Sequence, residues 1–417
     1  MERFCMSKLV AIVLGGTWAH RELVRQLQGR GYYVVLLDYL PSPPAVELAD
    51  EHIQVSTLDH DKVLDVARTL GARLVISSNV DQANLVACSV SHALGLYFPY
   101  SEEAARCATD KVLMKRRMIE SGITTSKFIS GRSWEDFADM NLSFPVVVKP
   151  ADCNSSKGVL KVSSTSDLKE AVGAALTLSR SNQAIVEEYV VGREFQLDAY
   201  IKGGKAVAIV ACERLVVREG IEMYGAVYSN AIGQALVEQL RELAEKIASA
   251  SNLDNCPILL QAIMDRGDLS VIEYATRFSG GEVHRLATKL GGHNIIDYAI
   301  ASALGECVGC ESVPVNHFYG VCFLYAKACE FGWVSGLEYV AAHEKVEYVH
   351  VYKSQGDRLN GQLISSNRVS VVVVKSNSSE EAIELAVQLA QMMDLKDVNG
   401  HSVMRNDIYE NQITTIA

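Results

Sequence analysis

The sequence predicts an α/β fold, with a parallel sheet near the N-terminus and a smaller α/β region at the C-terminus. Between residues 8 and 100, apolar runs alternate with helical stretches, which is typical of a parallel sheet covered by helices on both faces. Two further apolar runs flank a polar turn at Asp265–Asp268, and this pattern predicts a β-hairpin. The 417 residues, 49% of them hydrophobic, are enough for about two to four domains or subdomains.

Charge and composition exclude several classes of function. The chain has 39 Lys and Arg against 50 Asp and Glu, a net charge of −11, so we expect no nucleic-acid-binding surface. The longest apolar runs are too short to span a membrane. The N-terminal apolar run leads into a glycine turn rather than a cleavage site, and the ten cysteines lack paired spacing. We therefore expect a cytoplasmic protein with reduced thiols and no membrane association.

The N-terminal region begins with a strand at Lys8–Leu14 that ends in a glycine pair. A second strand, Tyr32–Leu37, ends at Asp38. The glycine turn reads GGTWAH, which is not the G-x-G-x-x-G fingerprint, so an oxidoreductase with a nicotinamide or flavin cofactor is disfavoured. The helix after Gly16 could instead hold an anionic substrate group at its N-terminus. The next predicted elements are the strands His52–Val55 and Leu74–Ser77 and helices at about Asp59–Leu70 and Asp81–Gly95.

Two lysines stand at positions that favour an anionic partner. Lys111 lies in the first turn of a helix that Asp110 caps and that ends near Gly122. A lysine at that end opposes the helix dipole unless an anion is close, although a lone lysine is also often a solvated surface residue. Lys149 ends the buried-type strand Phe144–Lys149, where a cation is costly without an anion.

A small, polar loop follows Lys149 and ends in Ser155, Ser156, Lys157 and Gly158. Such a loop is flexible, and its backbone amides can cover phosphate groups. The P-loop pattern is not present.

Three glutamates follow this loop. Glu187 and Glu188 are adjacent on the predicted strand Ala184–Val191, so they lie on opposite faces, and one can face a site while the other faces solvent. Backbone in this segment could contact the edge of a base, and Glu194 could accept hydrogen bonds from sugar hydroxyls.

The most informative stretch is the predicted hairpin between residues 259 and 281. Gln261 lies on its first strand and Glu273 on its second, so folding about the turn can bring two oxygen ligands together. Arg277 follows four residues later, before the turn Ser279-Gly280-Gly281. Oxygen ligands, an arginine and a glycine turn suit a magnesium–phosphate site, but the same pattern also fits a hairpin with an incidental edge glutamate.

The remainder of the chain contains fewer candidate functional residues. His293 is a candidate substrate contact, although a surface loop histidine is the commoner case. Asn294 is predicted to cap a helix. In the C-terminal region we predict strands at Tyr319–Lys327, Val346–Tyr352 and Val369–Lys375 and a helix at Ser378–Leu395.

These motifs, in this order and spacing, resemble the ATP-grasp superfamily across about residues 1–310. DKVLMKRRMIESGI and FPVVVKP look like its two phosphate-lysine segments, with Lys111 and Lys149. NSSKG stands at its flexible loop, and EEYVVGRE resembles its adenine hinge. Gln261, Glu273 and Arg277 match its final motif, except that Ala275 stands where the common pattern has asparagine. TRFSGG is similar to the carboxylate–amine ligase branch, which includes the amino-acid ligases.

The resemblance implies a role for each candidate residue. The ATP-binding candidates are Lys111, Lys149, Ser155, Ser156, Lys157, Gly158, Glu187, Glu188, Val190 and Glu194. Gln261 and Glu273 would hold Mg²⁺, with Mn²⁺ as an alternative ion, and Arg277 and Lys149 would be catalytic. The candidate substrate contacts are Ser279, Gly280, Gly281 and His293.

The resemblance also implies a domain order and an activity. We expect a Rossmann-like pre-ATP-grasp domain at 1–100, an ATP-grasp domain at 101–310 and a C-terminal α/β domain at 311–417. The ATP-grasp domain would contain a lid subdomain at about 110–183 and a larger part at about 184–310. The expected reaction activates a carboxylate as an acyl phosphate, joins it to an amine and releases ADP and phosphate. The substrates would be small molecules, and a homodimer is compatible with the family.

Two alternatives remain open from the sequence. One is a carboxyphosphate-using enzyme of the same superfamily, of the carboxylase or purine-pathway type. The other is a non-catalytic nucleotide-binding protein, which Ala275 favours because it removes a usual metal ligand.

Overall fold

The computed structural model describes residues 8–217, 222–229, 232–309 and 317–409. The elements up to residue 107 are β1 (Leu9–Leu14), α1 (Trp18–Gly29), β2 (Tyr32–Asp38), β3 (Glu51–Gln54), α2 (His60–Thr69), β4 (Leu74–Ile76), α3 (Asp81–Ala93) and α4 (Glu102–Cys107). The next group is α5 (Lys111–Glu120), β5 (Phe128–Gly131), β6 (Val146–Pro150), β7 (Leu160–Val162), α6 (Thr165–Leu178) and β8 (Ala184–Glu188).

The second half of the chain begins with two long antiparallel strands. Its elements up to residue 304 are β9 (Arg193–Lys202), β10 (Lys205–Val216), β11 (Met223–Tyr228), α7 (Gln234–Ala250), β12 (Cys256–Asp265), β13 (Asp268–Ala275), α8 (Val283–Gly291) and α9 (Ile295–Leu304). The last group is β14 (Phe318–Tyr325), β15 (Cys329–Ser335), α10 (Leu337–Ala341), β16 (Val346–Val351), β17 (Arg358–Leu359), β18 (Arg368–Ser376), α11 (Ser379–Gln391) and β19 (Asp394–Asp397).

The N-terminal sheet has the order β3-β2-β1-β4, and every neighbouring pair is parallel. Apolar side chains cover both of its faces. Leu23 of α1 packs with Ile300 of α9 on one side, and Val63 of α2 packs with Ala83 of α3 on the other. This confirms the predicted parallel α/β region.

The turn after β1 is closed by internal contacts. The Gly16 amide donates to Asp38 Oδ2 at 2.7 Å and the Thr17 amide to His20 Nδ1 at 3.2 Å. A Cβ at Gly16 would lie 2.4 Å from Pro43 Cβ, so only glycine fits. The Gly16 and Thr17 amides are therefore occupied within the protein, while the start of α1 at Trp18 and Ala19 lines the cavity described below, so an anionic group at this helix start stays a prediction.

A second sheet, the lid sheet, has the antiparallel order β5-β8-β6-β7. Helix α6 covers one face, where Leu168 and Val172 pack against Val146 and Val148. Because β8 begins at Ala184, this sheet extends past residue 183.

The central sheet has eight antiparallel strands in the order β13-β12-β9-β10-β11-β14-β18-β16. It contains strands from both sides of residue 310, so the C-terminal region adds to a sheet that begins in the preceding segment. Helix α7 packs on strands β9, β10 and β12, and helix α11 packs on β14 and β18. The edge strand β13 and its neighbour β12 form the predicted hairpin, with Asp265 opposite Asp268.

The fourth sheet has the order β17-β15-β19, and it differs from the sequence prediction at one point. We predicted a helix over Ser378–Leu395, but α11 ends at Gln391 and residues 394–397 form β19. Strand β19 pairs with β15, where Leu395 lies opposite Val334. Pairing with a strand that the sequence pattern did not reveal thus overrides helix propensity at this point.

Two general expectations can be compared with the structure. No helix among the described residues is long and apolar enough to cross a membrane. The cysteines in the described ranges are free, and most of them are buried.

The close approach of α11 to β14 gives a stability prediction. A Cβ at Gly320 would lie 2.0 Å from the Ala382 carbonyl oxygen, so Gly320→Ala must push the helix away and should lower the free energy of unfolding by about 1–3 kcal/mol. Gly173, in α6, has open space where a Cβ would lie, so Gly173→Ala should be neutral or raise it by about 0.5–1 kcal/mol. Denaturant titration measures both, and equal stabilities would contradict this packing.

Candidate active site

A cavity of about 730 Å³ lies between the lid sheet, the central sheet and the loops that follow β1 and β4. Most of the predicted site residues line it: Lys111, Lys149, Ser155, Ser156, Glu187, Glu188, Val190, Glu194, Gln261, Glu273, Arg277, Ser279, Gly280 and Gly281. The fold thus brings together residues that are up to 170 positions apart in the sequence, since the set begins at Lys111 and ends at Gly281 (281 − 111).

Gln261 and Glu273 lie directly opposite each other in the hairpin. They form a pair in the antiparallel register of β12 and β13, and a β-bulge follows at once, between Gln261 and Ala262. The tight turn places Arg266 and Gly267 at φ of 49° and 97°, which is the left-handed backbone that a two-residue hairpin turn requires. The local sequence therefore fixes the register that brings the two side chains together.

The two side chains fit a hard cation rather than a zinc ion. Gln261 donates its amide Nε2 to Gln196 Oε1 at 3.2 Å, so its oxygen is the atom available as a ligand. Glu273 supplies carboxylate oxygens, and oxygen ligands are the ones that Mg²⁺ prefers. Within the described ranges, no group of three or more His, Cys, Asp and Glu side chains could hold a metal ion. Ala275 is buried, so a Mg²⁺ here would take its remaining ligands from phosphate and water.

Lys149 belongs to a buried ion-pair cluster on the lid sheet. Its Nζ lies 3.2 Å from Glu187 Oε1, and Lys115 Nζ lies 3.2 Å from Glu187 Oε2. Burial alone would raise the pKa of Glu187, but the two lysines lower it to about 2. Glu187 is therefore an anion between two cations. The next residue, Glu188, points to the opposite face of strand β8 and is only partly buried.

Both carboxylate oxygens of Glu187 are thus engaged within the protein. Oε1 lies in the cavity wall beside the Lys149 ammonium, and Oε2 lies beside Lys115 and accepts from the Ser126 hydroxyl at 2.9 Å.

Lys111 and the following loop are connected directly. Asp110 caps α5 by accepting from the amides of Val112 and Leu113 at 2.8 and 3.1 Å. Lys111 Nζ donates to the Cys153 carbonyl oxygen, so this lysine holds the start of the loop. The side chain is then positioned at the cavity wall, where a phosphate could replace the carbonyl.

The loop itself is only partly directed into the cavity. Ser155 and Ser156 line it with φ values of 56° and 58°, conformations that L residues adopt rarely. Lys157 is exposed and does not line the cavity, and Gly158 packs instead against Leu178 and Pro150. Lys157 and Gly158 therefore do not face the cavity in this arrangement of the loop, and their contacts with a nucleotide stay a prediction.

Glu194 and Arg277 are each paired with an oppositely charged residue. Glu194 forms an ion pair with Arg214, and burial raises its pKa while Arg214 acts against that rise. Arg277 is held by Asp81, from the first turn of α3, with Nη2 to Oδ2 at 2.8 Å. The pair connects the segment that follows the β12–β13 hairpin to helix α3, which packs against β4 of the N-terminal sheet.

The turn after Arg277 is also held firmly. The buried carboxylate of Asp198 accepts from the Ser279 amide at 2.5 Å and from its hydroxyl at 2.8 Å. Glu282 accepts from the hydroxyls of Tyr348 and Tyr352, which attaches the turn to β16 and the segment that follows it. This turn, with Ser279, Gly280 and Gly281, thus lies where the N-terminal region, the central sheet and the C-terminal region meet.

His293 is the clearest exception to the predicted set. It is buried, it does not line the cavity, and its Nδ1 lies 3.3 Å from the Tyr298 hydroxyl. Burial lowers its pKa, and the ring packs against Tyr298 of α9. Our prediction of a substrate contact at His293 is not supported by this placement.

Several side chains at the site were missed from the sequence. Asp81, Lys115, Asp198, Glu222 and Arg368 take part in its buried ion pairs or hydrogen bonds. Lys115 could have been suspected from its position four residues after Lys111, on the same helix face. The others come from segments whose proximity depends on the tertiary fold.

Comparison with known proteins agrees with this geometry. Residues 142–284 match the family model of the ATP-grasp domain, and residues 322–396 match that of the L-amino acid ligase C-terminal domain 2. Residues 142–284 therefore form an ATP-grasp domain. Enzymes that carry an ATP-grasp domain use ATP together with Mg²⁺.

The curated relatives are distant. The chain is 24% identical over 253 residues to a formate-dependent phosphoribosylglycinamide formyltransferase of Ignicoccus hospitalis, covering 58% of this chain and 63% of the relative. It is 27% identical over 205 residues to a D-alanine–D-alanine ligase of a Marinomonas species, covering 47% and 60%. The chain thus spans less than two thirds of the length of each of these relatives.

Solved structures resemble it over nearly its whole length. An L-amino acid ligase from Bacillus licheniformis superposes with a TM-score of 0.79, covering 94% of this chain and 99% of the other, at 18% identity. At that identity the likeness establishes the fold alone.

The pair between Arg277 and Asp81 can be tested by stability. Both side chains are largely buried, with exposures of 14% and 13%. Asp81→Asn leaves the Arg277 cation without its carboxylate, so it should lower the free energy of unfolding by about 3–5 kcal/mol. Asp65→Asn, at an exposed position on α2, is the matched control and should change it by less than about 0.5 kcal/mol. If both variants unfold like the unmodified protein, the pair does not tie the two sheets together.

Proposed function

We propose that this chain is an ATP- and Mg²⁺-dependent ligase that joins a carboxylate to an amine and releases ADP and phosphate. One observation carries the proposal. The Gln261–Glu273 pair and Arg277 face the same cavity as Lys111 and Lys149, so oxygen ligands and cations converge where a triphosphate would need both.

The phosphate end of the site follows from these charges. When bound, ATP supplies the phosphoryl group that activates the carboxylate, and Mg²⁺ offsets the charge on the phosphate oxygens. Gln261 and Glu273 would hold the metal. Lys111, Lys149 and Arg277 stabilise the charge that builds up on the transferring group, which is the largest contribution that a protein makes to such a reaction.

The nucleoside end of the site lies at the lid sheet. Glu187, Glu188 and Val190 line the cavity beside the apolar residues Val147 and Leu259, a combination that suits a flat, apolar base with polar edges. Glu194 would contact the ribose hydroxyls while it keeps Arg214 as its counterion.

Closure of the loop at 153–158 would protect the activated acid. An acyl phosphate reacts with water, so the site must exclude water until the amine attacks. Ser155 and Ser156 already face the cavity, and Lys157 and Gly158 would reach the phosphates only after the loop moves.

The choice of an amine as acceptor rests on the C-terminal region. Residues 322–396 match a domain that takes its name from the L-amino acid ligases, and this region supplies strand β16 and the tyrosines that hold the turn at 279–282. The C-terminal region also lines the cavity, through residues such as Tyr352, Lys353 and Arg368, and there it would contact the acid and the amine. Ser279, Gly280 and Gly281 are the proposed substrate contacts.

ADP release with pairs of substrates tests the proposal. The wild-type protein should release ADP only when Mg²⁺, a carboxylate and an amine are all present. Glu273→Ala should reduce the rate by at least about 100-fold because a metal ligand is lost, while Asp268→Ala, exposed on the same strand, should keep it. ADP release with bicarbonate in place of the carboxylate would indicate a carboxyphosphate enzyme. No release with any pair, despite ATP binding, would indicate a non-catalytic nucleotide-binding protein.

A further inference from the structure

The buried charges around Glu187 do not balance. One carboxylate, from Glu187, lies between two ammonium groups, those of Lys115 and Lys149, at 3.2 Å from each. Lys115 and Glu187 are almost completely buried, with side-chain exposures of 1% and 5%, and Lys149 is 11% exposed. These three groups together carry a formal charge of +1. Glu273, the proposed metal ligand, also acts to raise the pKa of Lys115, but it would be engaged by the metal. A partly buried excess of positive charge at Lys149 is therefore stabilised by an anion in the cavity.

Only one of the two lysines faces the cavity. Lys149 and Glu187 line it, whereas Lys115 does not. Lys115 is instead fixed behind the wall, where its Nζ donates to Thr125 Oγ1 at 2.6 Å and to Ser126 Oγ at 2.9 Å. A ligand in the cavity can therefore approach Lys149 but not Lys115.

We propose that Lys115 is a positioning residue that neutralises Glu187 from behind and so leaves the charge of Lys149 available for a nucleotide phosphate. The proposal rests on the ATP-binding function proposed above. Without Lys115, the single charge of Glu187 would be offset by Lys149 alone. The pair would then be neutral, and Lys149 would be held on Glu187 rather than drawn to an anion.

The attachments of Lys115 support a fixed charge rather than a mobile one. It lies on α5, which packs against β13 of the central sheet. Its partner Thr125 donates to the Val271 carbonyl oxygen of β13 at 2.7 Å, and Ser126 donates to Glu187 Oε2 at 2.9 Å. Lys115 thus connects the central sheet to strand β8 of the lid sheet at the carboxylate that holds Lys149.

The pKa directions agree with this distribution of charge. Burial lowers the pKa of Lys115, Glu187 acts to raise it, and Lys149 acts to lower it further. The ammonium groups of the two lysines therefore repel each other, although the Glu187 carboxylate lies between them. An anion beside Lys149 relieves that repulsion, so phosphate binding should be favoured by the presence of Lys115.

Binding measurements on Lys115→Met test the inference. Affinities for Mg²⁺–ATP and for adenosine are compared by calorimetry, because adenosine carries the base and sugar but no phosphate. Lys115→Met should weaken ATP binding by at least about tenfold and change adenosine binding by less than about twofold. A purely structural role would weaken both ligands alike, and that result would overturn the inference, as would unchanged ATP affinity.

A double variant separates charge from folding. In Lys115→Met combined with Glu187→Gln, the carboxylate that captures Lys149 is gone, so the ratio of ATP affinity to adenosine affinity should recover toward the wild-type ratio. If the ratio stays as low as in Lys115→Met alone, charge on Glu187 is not the cause and the inference fails. Lys205→Met, which removes an exposed lysine paired with Glu245, is the control and should behave as wild type.

The same measurements distinguish this inference from the proposed function. Absence of Mg²⁺–ATP binding to the wild-type protein would contradict the ATP-dependent function itself. Wild-type binding together with an unaltered Lys115→Met would contradict only the role of Lys115. Thermal unfolding of each variant shows whether it is folded, and the comparison of two ligands on one variant does not depend on its stability.

Discussion

The antiparallel register that sets Gln261 opposite Glu273 is the constraint on which the proposed chemistry depends. In a strand, neighbouring side chains point to opposite faces, so a slip of one residue would turn either ligand away from the cavity. The two-residue turn at Arg266-Gly267 fixes the register at one end of the hairpin. The bulge beside Gln261 fixes it at the other, since bulges re-aim side chains next to sites of this kind. Arg277 and the turn after it then take their places relative to this pair.

Charge is the second constraint, because the cavity wall holds several buried ions. The pairs of Arg277 with Asp81, Glu194 with Arg214 and Glu222 with Arg368 are each formally neutral. The cluster of Lys115, Glu187 and Lys149 differs, since these three groups carry a net positive charge and Lys149 faces the cavity. The lid sheet is therefore a favourable place for phosphate groups. The pairs of Glu194 with Arg214 and of Glu222 with Arg368 connect parts of the chain around the cavity, while Asp81 holds Arg277 in the position from which it would act on phosphate.

Much of the fold could be predicted from the sequence because the patterns that indicate these elements lie within short stretches of the chain. The alternation of apolar runs gave the parallel N-terminal sheet, and the turn at Asp265–Asp268 gave the hairpin. Strand β19 was missed because it forms by pairing with β15, and the continuity of the central sheet across residue 310 depends on contacts between distant strands. These features have no local sequence signal.

The site was predictable to the extent that its residues belong to short motifs. Lys111, Lys149, Glu187, Gln261 and Glu273 all line the cavity, as their motifs suggested. His293 does not, because a histidine in a glycine-rich turn gives no information about which way the ring packs. Lys115 and Asp81 were missed since their role is to hold another charged side chain, and only tertiary structure shows which side chain that is.

The proposed reaction depends most directly on the activation of a carboxylate by phosphoryl transfer. Once an acid substrate is found, it can be supplied with ¹⁸O in both carboxylate oxygens, and the released phosphate analysed by mass spectrometry. The account predicts that one ¹⁸O atom passes to inorganic phosphate in each turnover, because the oxygen that attacks the γ-phosphorus leaves with it when the amine displaces phosphate. Phosphate without ¹⁸O, formed together with the amide product, would contradict an acyl phosphate and with it the proposed reaction.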